Sequence, residues 1–464
     1  MKKLQLIIGA IFLTLNIFSQ TFNLTVNNGY GSGNFQAGDT INIFANPNPS
    51  NSVFGQWASS FPSLTVLPSL NEYHIRVVMP AQNVTLTPNY QTYSPWTFTH
   101  TQINGKELYY YFPAGMKGII QCYHGAGGSA TGWTDSVSAV ENLNFCRYAV
   151  AHGYGLFITE SNNRTTKQWV NNVIDSTNGD IVSIYKMIDT LVAHNILTGN
   201  EKMLAVSHSQ GSGFNSIISY VKNFCAAALG GVAGKDTVFY FTNTPTYWQA
   251  SRNDTSADPT RIPKIIAAYN VLSGRGIDAE YHILEPSPLF PKRFERIPGI
   301  DAAMAVGIFN DLNNAGYLNA QHYFNTNPRV NPNYINAVTS VPASFDAAID
   351  DQVTVAFTEH KFYSDYNWLI IDFFDNHLCD SASTGIPPIV FDKIGPVFPN
   401  PFVTKIYLQN ASGNENYVLT NSIGQIIWTG KNIDQQDFSF LQNGIYFLNV
   451  STQTGQQTHK LIKQ

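Results

Sequence analysis

Charged residues are scarce in this chain of 464 residues, where they make up 12% of the total, about half the usual share of a globular protein. The 26 basic and 31 acidic residues give a formal net charge of -5, so the basic excess typical of nucleic-acid-binding proteins is missing. Hydrophobic residues reach 44%, which is too much for a disordered chain. The composition therefore predicts a folded, mildly acidic protein, and the length allows roughly three domains.

Cysteine is also rare. There are four: Cys122, Cys146, Cys225 and Cys379. Their spacing matches no metal-binding motif, and four thiols can pair in three ways. An oxidising compartment would permit one or two disulfide bonds, whereas Cys122 and Cys225 fall in predicted core strands and fit buried free thiols at least as well. The sequence leaves the pairing open and predicts no metal site.

Long apolar runs are missing after the N-terminal segment. Residues 1–20 combine two lysines at the start with an uncharged apolar run from Leu4 to Phe18 and a short polar end, which is typical of a secretory signal peptide. Asn16 interrupts the run, and a membrane anchor needs about 20 apolar residues. We therefore predict an exported protein whose mature chain has no transmembrane segment.

Residues 21–91 consist of short runs in which apolar and polar residues alternate, with Gly and Asn between the runs. Period two with this punctuation predicts a small all-β module. The pattern VNNGYGSGNFQAGDTINIFA, then FGQW, then VMPAQNVTLTPNY resembles the internalin-type B-repeat family of bacterial surface modules. That resemblance implies a β-grasp-like adhesive or spacer unit without chemistry of its own.

Short strand-like runs return in residues 392–464, after a linker at 381–391 that contains Pro and Ser. The ordered elements FPNPF at 398–402, NSIGQIIW, NGIYFLNV at 443–450 and a final KLIK resemble the C-terminal sorting domain of type IX secretion substrates. The resemblance implies a Bacteroidota-like source, export by the type IX secretion machinery, and a location at the cell surface or outside the cell. From the residues alone, this part is a small β-sandwich.

Between these parts, in residues 95–380, the period changes. Compact apolar strands such as KGIIQCY, YGLFITE, KMLAVS and AAALGGV alternate with helix-length stretches, for example residues 179–195. This alternation predicts an α/β domain with a mostly parallel sheet covered on both faces. Residues 258–345 are the least regular part, and we expect them to form a cap or an elaborated edge above the site.

The clearest chemical signal follows the strand KMLAVS, which continues into SHSQG at 207–211 and then into a helix-like stretch. A nucleophile on a strand-to-helix turn needs small residues two places before and two places after it, because the turn brings backbones into contact. Ser207 and Gly211 occupy those places around Ser209, although the usual motif has Gly at the first place. Ser209 is the candidate nucleophile.

A glycine-rich loop, HGAGGS at 124–129, follows the strand KGIIQCY. Such a loop can donate backbone N–H groups to a developing oxyanion, and Gly125 or Ala126 would supply one N–H and Gln210 the other. With both motifs at strand ends, the middle domain resembles the α/β-hydrolase family, nearest to secreted esterases of the polyhydroxyalkanoate-depolymerase and feruloyl-esterase type.

In that family the acid and then the histidine follow the nucleophile. Asp254, just after the strand-like run TPTYWQAS, is the predicted acid, with Asp258 as the second candidate and Asp236 as a weaker one. His360 precedes the last helix-like stretch; it would take the Ser209 proton as base. Packing roles are predicted for the other histidines considered: His208, His282, His322 and His377.

These signals predict a secreted serine ester hydrolase that works through an acyl-enzyme and needs no cofactor. The substrate would be a carboxylic ester, small or polymeric, as in a carboxylesterase or a polyester depolymerase. A serine peptidase on the same fold and a catalytically inactive surface-binding protein are the alternatives. Three tryptophans near sheet-edge loops are candidates for a substrate cleft, with buried packing as an equal alternative: Trp133, Trp169 and Trp248.

Overall fold

The computed structural model describes residues 20–135, 139–255, 258–379, 397–408, 413, 415–422, 425–451 and 456–464. The chain divides into two compact units, residues 1–381 and 382–464. The predicted linker at 381–391 and nearly all of the predicted signal peptide lie outside the described residues. These two segments and the predicted domain boundaries stay predictions.

The N-terminal module consists of two four-stranded sheets, ordered β3-β1-β8-β5 and β2-β4-β7-β6. Its strands are β1 (Thr21–Val26), β2 (Gly29–Tyr30), β3 (Gly33–Gln36), β4 (Thr40–Ala45), β5 (Ser52–Ser59), β6 (Thr65–Leu67), β7 (His74–Val78) and β8 (Val84–Thr92). Alternate apolar side chains of both sheets meet in one core around Leu24, Ile43 and Trp57. No helix occurs within residues 20–92, so the module is two packed sheets, unlike a β-grasp sheet that packs on a helix. The B-repeat resemblance stays a prediction.

The middle of the chain forms an eight-stranded sheet. Its strands are β9 (Thr99–Ile103), β10 (Lys106–Tyr111), β11 (Ile119–Tyr123), β12 (Gly155–Thr159), β13 (Met203–His208), β14 (Ala226–Gly230), β15 (Thr246–Ser251) and β16 (Ala279–Leu284). The spatial order is β9-β10-β12-β11-β13-β14-β15-β16. The strands from β12 to β16 run parallel, and β10 is antiparallel to both of its neighbours. This is the strand order of the α/β-hydrolase fold, so the predicted fold class is confirmed.

Helices cover both faces of this sheet, as expected when β-strands are buried on both sides. They are α1 (Val140–Ala151), α2 (Gly179–Ala193), α3 (Gln210–Val221), α4 (Arg261–Gly274), α5 (Pro291–Phe294), α6 (Ala302–Asn314), α7 (Asp346–Phe357) and α8 (Asn367–Asn376). Side chains of α1 and α8 pack in one core with Ile120 and Val206, and those of α2 and α3 pack in a second core with Ile119 and Ala205.

The expectation for residues 258–345 is wrong in part, because this range begins with α4 and β16, which belong to the sheet layers. The insertion proper follows β16 and spans residues 285–357. It has a core of its own around Phe294, Leu312 and Tyr334. A helical core of this kind has no strand period, which is why the sequence pattern was hard to interpret there.

Two cysteines are paired and two are not. Cys225, just before β14, and Cys379, beyond α8, form a disulfide bond. Cys122 and Cys146 are buried free thiols, and burial raises the pKa of the Cys122 thiol, with a further contribution from Cys146. The structure therefore contains both a disulfide bond and buried free thiols, the two possibilities that the sequence had left open.

The C-terminal unit is all-β. Its strands are β17 (Val397–Phe398), β18 (Tyr407–Leu408), β19 (Asn416–Asn421), β20 (Ile426–Gly430), β21 (Gly444–Ser451) and β22 (Gln456–Lys463). The last four form an antiparallel sheet in the order β20-β19-β21-β22, over a core that includes Phe402, Phe438 and Leu448. None of the described helices of the whole chain is long and apolar enough to cross a membrane.

Candidate active site

Ser209 lies on the tight turn between β13 and α3. Its backbone has φ 59° and ψ -130°, a sparsely populated conformation for a residue with a side chain and one that suits a nucleophile elbow. The Ser209 N–H donates to the Gly230 carbonyl at 2.8 Å. A Cβ at Gly211 would lie 2.5 Å from the carbonyl oxygen of His124, so the second position after Ser209 admits only glycine.

Ser207 replaces the first glycine of the usual motif, and the structure shows how it fits. Its side chain is buried, and its Oγ lies 3.1 Å from Ser212 Oγ and 3.3 Å from the Ala228 carbonyl. The Asn215 amide donates to the same Oγ at 3.0 Å. The extra hydroxyl is thus part of a polar network beneath the turn, because each buried polar group finds a partner there.

The structure brings Ser209, His360 and Asp254 together. His360 Nε2 lies 2.7 Å from Ser209 Oγ, and His360 Nδ1 lies 2.5 Å from Asp254 Oδ2. The Asp254 carboxylate is buried, three residues after the end of β15. If Nδ1–H donates to Asp254, Nε2 is free to accept the Ser209 proton; this tautomer is assigned from the hydrogen-bond geometry.

The other two acid candidates lie elsewhere. Asp258 accepts hydrogen bonds from Thr260 and forms an ion pair with Lys264 at 3.0 Å. Asp236 begins a 3₁₀-helix, Asp236–Tyr240. Among the described residues, Asp254 is the acid that contacts His360.

The loop that carries His360 is tied to the end of β15. The side-chain amide of Asn253 donates to the Phe357 carbonyl at 2.7 Å, and the Asn253 backbone N–H donates to the Thr358 carbonyl at 3.0 Å. Because Asn253 immediately precedes Asp254, these bonds fix the acid and the histidine relative to each other.

A second set of contacts connects the same loop to the insertion. Glu359 is 1% exposed, and its carboxylate accepts hydrogen bonds from the Asn327 amide at 2.6 Å and from the His360 backbone N–H at 3.2 Å. Arg329 forms an ion pair with it at 3.7 Å. A buried carboxylate needs such partners, and here they hold the backbone next to His360. Sequence analysis missed this network because its members are about 30 residues apart.

His208 packs against His360, with the ring centroids 4.5 Å apart. Burial lowers the pKa of His208 well below its usual value, and the neighbouring His360 lowers it further. The His208 imidazole is therefore uncharged and packs beside the site, in line with its predicted packing role. Gly231 has φ 76°, and a Cβ there would lie 2.8 Å from both His208 Nε2 and His360 Cε1, so this position also requires glycine.

Arg261, the first residue of α4, is a site residue that the sequence analysis did not identify. Its guanidinium donates to Asp254 Oδ1 and also lies 2.7 Å from His360 Nδ1. An Nδ1–H that donates to Asp254 cannot accept from Arg261, so in that tautomer Arg261 acts on Asp254 alone. Arg261 thus holds Asp254 Oδ1, while Asp254 Oδ2 faces His360. No sequence motif marks an arginine seven residues after the acid.

The predicted oxyanion donors surround Ser209. A Cβ at Gly125 would lie 3.2 Å from Ser209 Cβ, and Ala126 follows it on an exposed turn. Gln210 is the first residue of α3, so its N–H has no acceptor within the helix and lies at the positive end of the helix dipole. These N–H groups can stabilise negative charge on an oxygen bound next to Ser209.

Trp169 holds both oxyanion segments in place. Its indole N–H donates to the His124 carbonyl at 2.9 Å. Its backbone N–H donates to the Gln210 side-chain oxygen at 3.1 Å, and its carbonyl accepts from the Gln210 amide at 2.7 Å. The glycine-rich loop and the start of α3 are thus fixed to one indole-bearing residue.

The prediction of an aromatic substrate cleft is wrong for all three tryptophans. Trp133 and Trp248 are 0% exposed and Trp169 is 3% exposed, and each belongs to a hydrophobic core. Their position near strand ends reflects packing between loop and sheet. The packing alternative is correct.

The other three histidines considered in the sequence analysis pack against aromatic rings: His282 against Tyr366, His322 against Phe290 and Phe309, and His377 against Phe373. Within the described ranges, no group of three or more His, Cys, Asp or Glu side chains could hold a metal ion.

Residues 396–464 match the family model of the secretion system C-terminal sorting domain. The chain carries a type IX sorting domain. The predicted tail is confirmed, and so is the predicted destination, the cell surface or the outside of the cell. The Bacteroidota source stays a prediction.

Solved structures similar to this chain include three hydrolases. A soluble variant of monoglyceride lipase from Saccharomyces cerevisiae is 11% identical, with 42% of this chain and 86% of that chain covered and a TM-score of 0.29. Acetyl xylan esterase from Aspergillus awamori is 13% identical, with 39% and 81% covered and a TM-score of 0.31. A sugar hydrolase from Lactococcus lactis is 15% identical, with 45% and 90% covered and a TM-score of 0.32. Such TM-scores carry no argument about this chain, so the fold assignment rests on the strand order. No curated protein matches the chain.

Proposed function

We propose that this exported protein is a serine hydrolase that cleaves carboxylic esters through an acyl-enzyme. One observation supports the proposal above all: Ser209 Oγ lies 2.7 Å from His360 Nε2, and His360 Nδ1 lies 2.5 Å from Asp254 Oδ2. A hydroxyl, an imidazole and a carboxylate in this order form a nucleophile, a general base and the group that orients the base.

In the proposed reaction, His360 Nε2 takes the Ser209 proton while Oγ attacks the ester carbonyl carbon. The carbonyl oxygen becomes an oxyanion, which accepts hydrogen bonds from the backbone N–H groups of Gln210 and of Gly125 or Ala126. The imidazolium then gives its proton to the departing alcohol oxygen as the C–O bond breaks, leaving the acyl-enzyme.

Water completes the cycle. His360 takes a proton from the water as its oxygen attacks the acyl carbon, and then returns that proton to Ser209 Oγ as the carboxylic acid leaves. Asp254 stays ionised throughout and stabilises the imidazolium, while Arg261 fixes the other oxygen of this carboxylate.

The same triad can cleave amides, so a serine peptidase is the competing activity. We propose esters because the Gly-loop and SxSxG motifs resemble those of secreted esterases. A small or polymeric ester fits equally well, and paired assays with ester and peptide substrates distinguish the two reaction classes.

The decisive experiment is to label the folded protein with a fluorophosphonate and locate the modified residue by mass spectrometry. We expect labelling at Ser209 that is lost in Ser209→Ala and in His360→Ala. We also expect kcat/KM for p-nitrophenyl esters to fall by roughly 10⁴-fold or more in both variants. Ser273→Ala removes an exposed serine of α4 and should leave both readouts unchanged. A folded protein that takes no label, or Ser209→Ala with full ester hydrolysis, would contradict the proposal.

A further inference from the structure

A cavity of about 480 Å³ lies where the N-terminal module meets the α/β domain. We call it the junction cavity. Residues 47–54 of the N-terminal module form one wall, and parts of α1 and of the segment 364–368 form another. None of the three candidate triad residues lines it. Its volume is in the range of small-ligand sites, which often occur at domain interfaces.

The walls of the junction cavity are fixed by polar contacts across the interface. The Trp368 indole donates to Glu72 at 2.8 Å, and the Tyr73 hydroxyl donates to the Lys292 carbonyl at 3.2 Å. The Arg296 guanidinium lies 4.9 Å from the Tyr73 ring centroid. Because these contacts join the two sides, the cavity lies within one compact unit.

The lining combines aromatic rings with amide side chains. The rings include those of Tyr93, Trp96, Tyr148 and Trp368, and the amides include those of Asn51, Asn71 and Asn144. Trp96 is held by Tyr111, stacked at 5.0 Å, and by Phe98 at 4.9 Å. Sugar rings present flat C–H faces that pack on aromatic rings, and hydroxyls that both donate to and accept from amides.

Two further lining side chains make incomplete polar contacts among the residues that the structure describes. Asn367 is 4% exposed and lines the cavity, and its Oδ1 has no hydrogen-bond partner among the described residues. A buried acceptor left without a donor is unfavourable, so a ligand that donates to it would be stabilised. Arg147 also lines the cavity and makes no ion pair within the described part of the chain. A ligand rich in hydroxyl groups would supply a donor to Asn367 and acceptors to Arg147.

We propose that the junction cavity binds a short segment of an oligosaccharide, at a site separate from Ser209. An acyl chain is a poor occupant, because it would leave the amides and Arg147 desolvated without partners. The loop that carries His360 continues into Ser364 and Asp365, which line the cavity. A bound glycan therefore contacts the same segment of chain that presents the candidate base.

The test uses the full chain with Ser209→Ala, so its result does not depend on ester hydrolysis. Isothermal titration would be run with hexamers of β-1,4-linked xylose, glucose and mannose, with a galacturonate hexamer, and with unglycosylated hexapeptides. We expect at least one oligosaccharide to bind with a Kd below about 1 mM. Arg147→Gln and Trp96→Ala, each added to this background, should weaken that binding at least tenfold.

Tyr240→Ala is the matched control, because Tyr240 is 61% exposed and does not line the cavity; it should leave the Kd unchanged. Asn144→Ala, a truncation at a partly exposed position, covers the case in which Trp96→Ala fails to fold. The proposal is overturned if no oligosaccharide binds, if hexapeptides bind instead, or if binding is unaffected by Arg147→Gln and Asn144→Ala.

Discussion

The N-terminal module and the C-terminal sorting domain are both small all-β parts at the ends of an α/β domain, yet they differ in how they belong to the molecule. The N-terminal module shares one compact unit with the α/β domain, whereas residues 382–464 form a unit of their own. Phe290 of the insertion is 8% exposed and lies in the core of the N-terminal module. Its ring centroid is 4.7 Å from that of Phe44. The N-terminal module thus belongs to the same compact unit as the candidate active site, whereas the sorting domain forms a separate unit.

A cluster of buried charges strengthens the junction of the N-terminal module. Asp365 accepts hydrogen bonds from Arg293, at 2.6 Å, and from Arg296. The Arg296 guanidinium lies over Tyr73 of the module. Asp365 therefore holds the Arg296 guanidinium in position against the Tyr73 ring, and this contact joins the insertion to the N-terminal module.

The largest test of the comparison removes each β part in turn. We expect deletion of residues 21–92 to abolish folding, because Phe290 and the cavity wall would be exposed to water. Deletion of residues 382–464, which keeps Cys379, should leave the Tm of the remaining unit unchanged within about 2 °C and ester hydrolysis within about twofold. Thermal unfolding and p-nitrophenyl ester assays check both. Equal losses of thermal stability and of ester hydrolysis in the two deletions would show that the two β parts do not differ in how they support the α/β domain.

A smaller effect is expected from Asp365→Asn. The variant leaves buried Arg293 without its ion-pair partner, whereas Arg296 keeps Glu141 at 3.4 Å. An uncompensated buried charge costs about 3–5 kcal/mol at pH 7. Glu285→Gln breaks an exposed pair with Arg252 and should cost less than about 1 kcal/mol. Urea unfolding of the unit measures both.

The cost of Asp365→Asn should depend on pH. Burial alone would raise the pKa of Asp365, but the charges and hydrogen bonds of Arg293 and Arg296 outweigh it and hold the pKa well below its usual value. A depressed pKa contributes stability that is full above the unfolded value of about 3.9 and is lost as the pH falls towards the folded value. The gap between wild type and variant should therefore narrow below about pH 4. A gap that stays constant down to pH 2 would show that charge is not what holds the junction.

The smallest expected effect comes from two tyrosines whose hydroxyl groups each donate a hydrogen bond to a backbone carbonyl. Tyr73→Phe removes the hydroxyl that donates to Lys292, and Tyr446→Phe removes one that donates to the Gln442 carbonyl at 2.9 Å within the sorting domain. Each should cost about 0.5–1.5 kcal/mol. Tyr73→Phe should lower the unfolding transition of the unit that contains residues 1–381, and Tyr446→Phe only that of the unit that contains the sorting domain. A shift of both transitions in either variant would argue for a single cooperative unit.

The sequence predicted which strand ends carry the candidate triad because a parallel sheet orders them, but it left the acid open among Asp254, Asp258 and Asp236. The carboxyl ends of parallel strands meet at one edge, so Gly125 after β11, Ser209 after β13 and Asp254 after β15 had to be neighbours once the strands were recognised. His360 followed from its place before the last helix. The catalytic roles of these residues stay predictions that the labelling experiment tests.

Other features had no local signal. Arg261 lies only seven residues after Asp254 but belongs to no known motif, and Asn327 lies 32 residues before Glu359. No periodic pattern encodes either contact. Tryptophans at strand ends are equally typical of a cleft and of a core, and only the packing around Trp133, Trp169 and Trp248 distinguishes the two. The module junction depends on Phe290 and its neighbours, which in sequence are ordinary residues of a helical insertion.

The disulfide bond between Cys225 and Cys379 has a mechanical consequence. Cys379 lies two residues before the end of the first compact unit at residue 381, and Cys225 immediately precedes β14, the neighbour of the strand that leads to Ser209. A force applied to the chain beyond Cys379 would pass to the start of β14 through this covalent bond and would bypass the C-terminal end of α8. If the tail is cut off after export, the new terminus is already anchored, so the candidate enzyme keeps its last helix without its address.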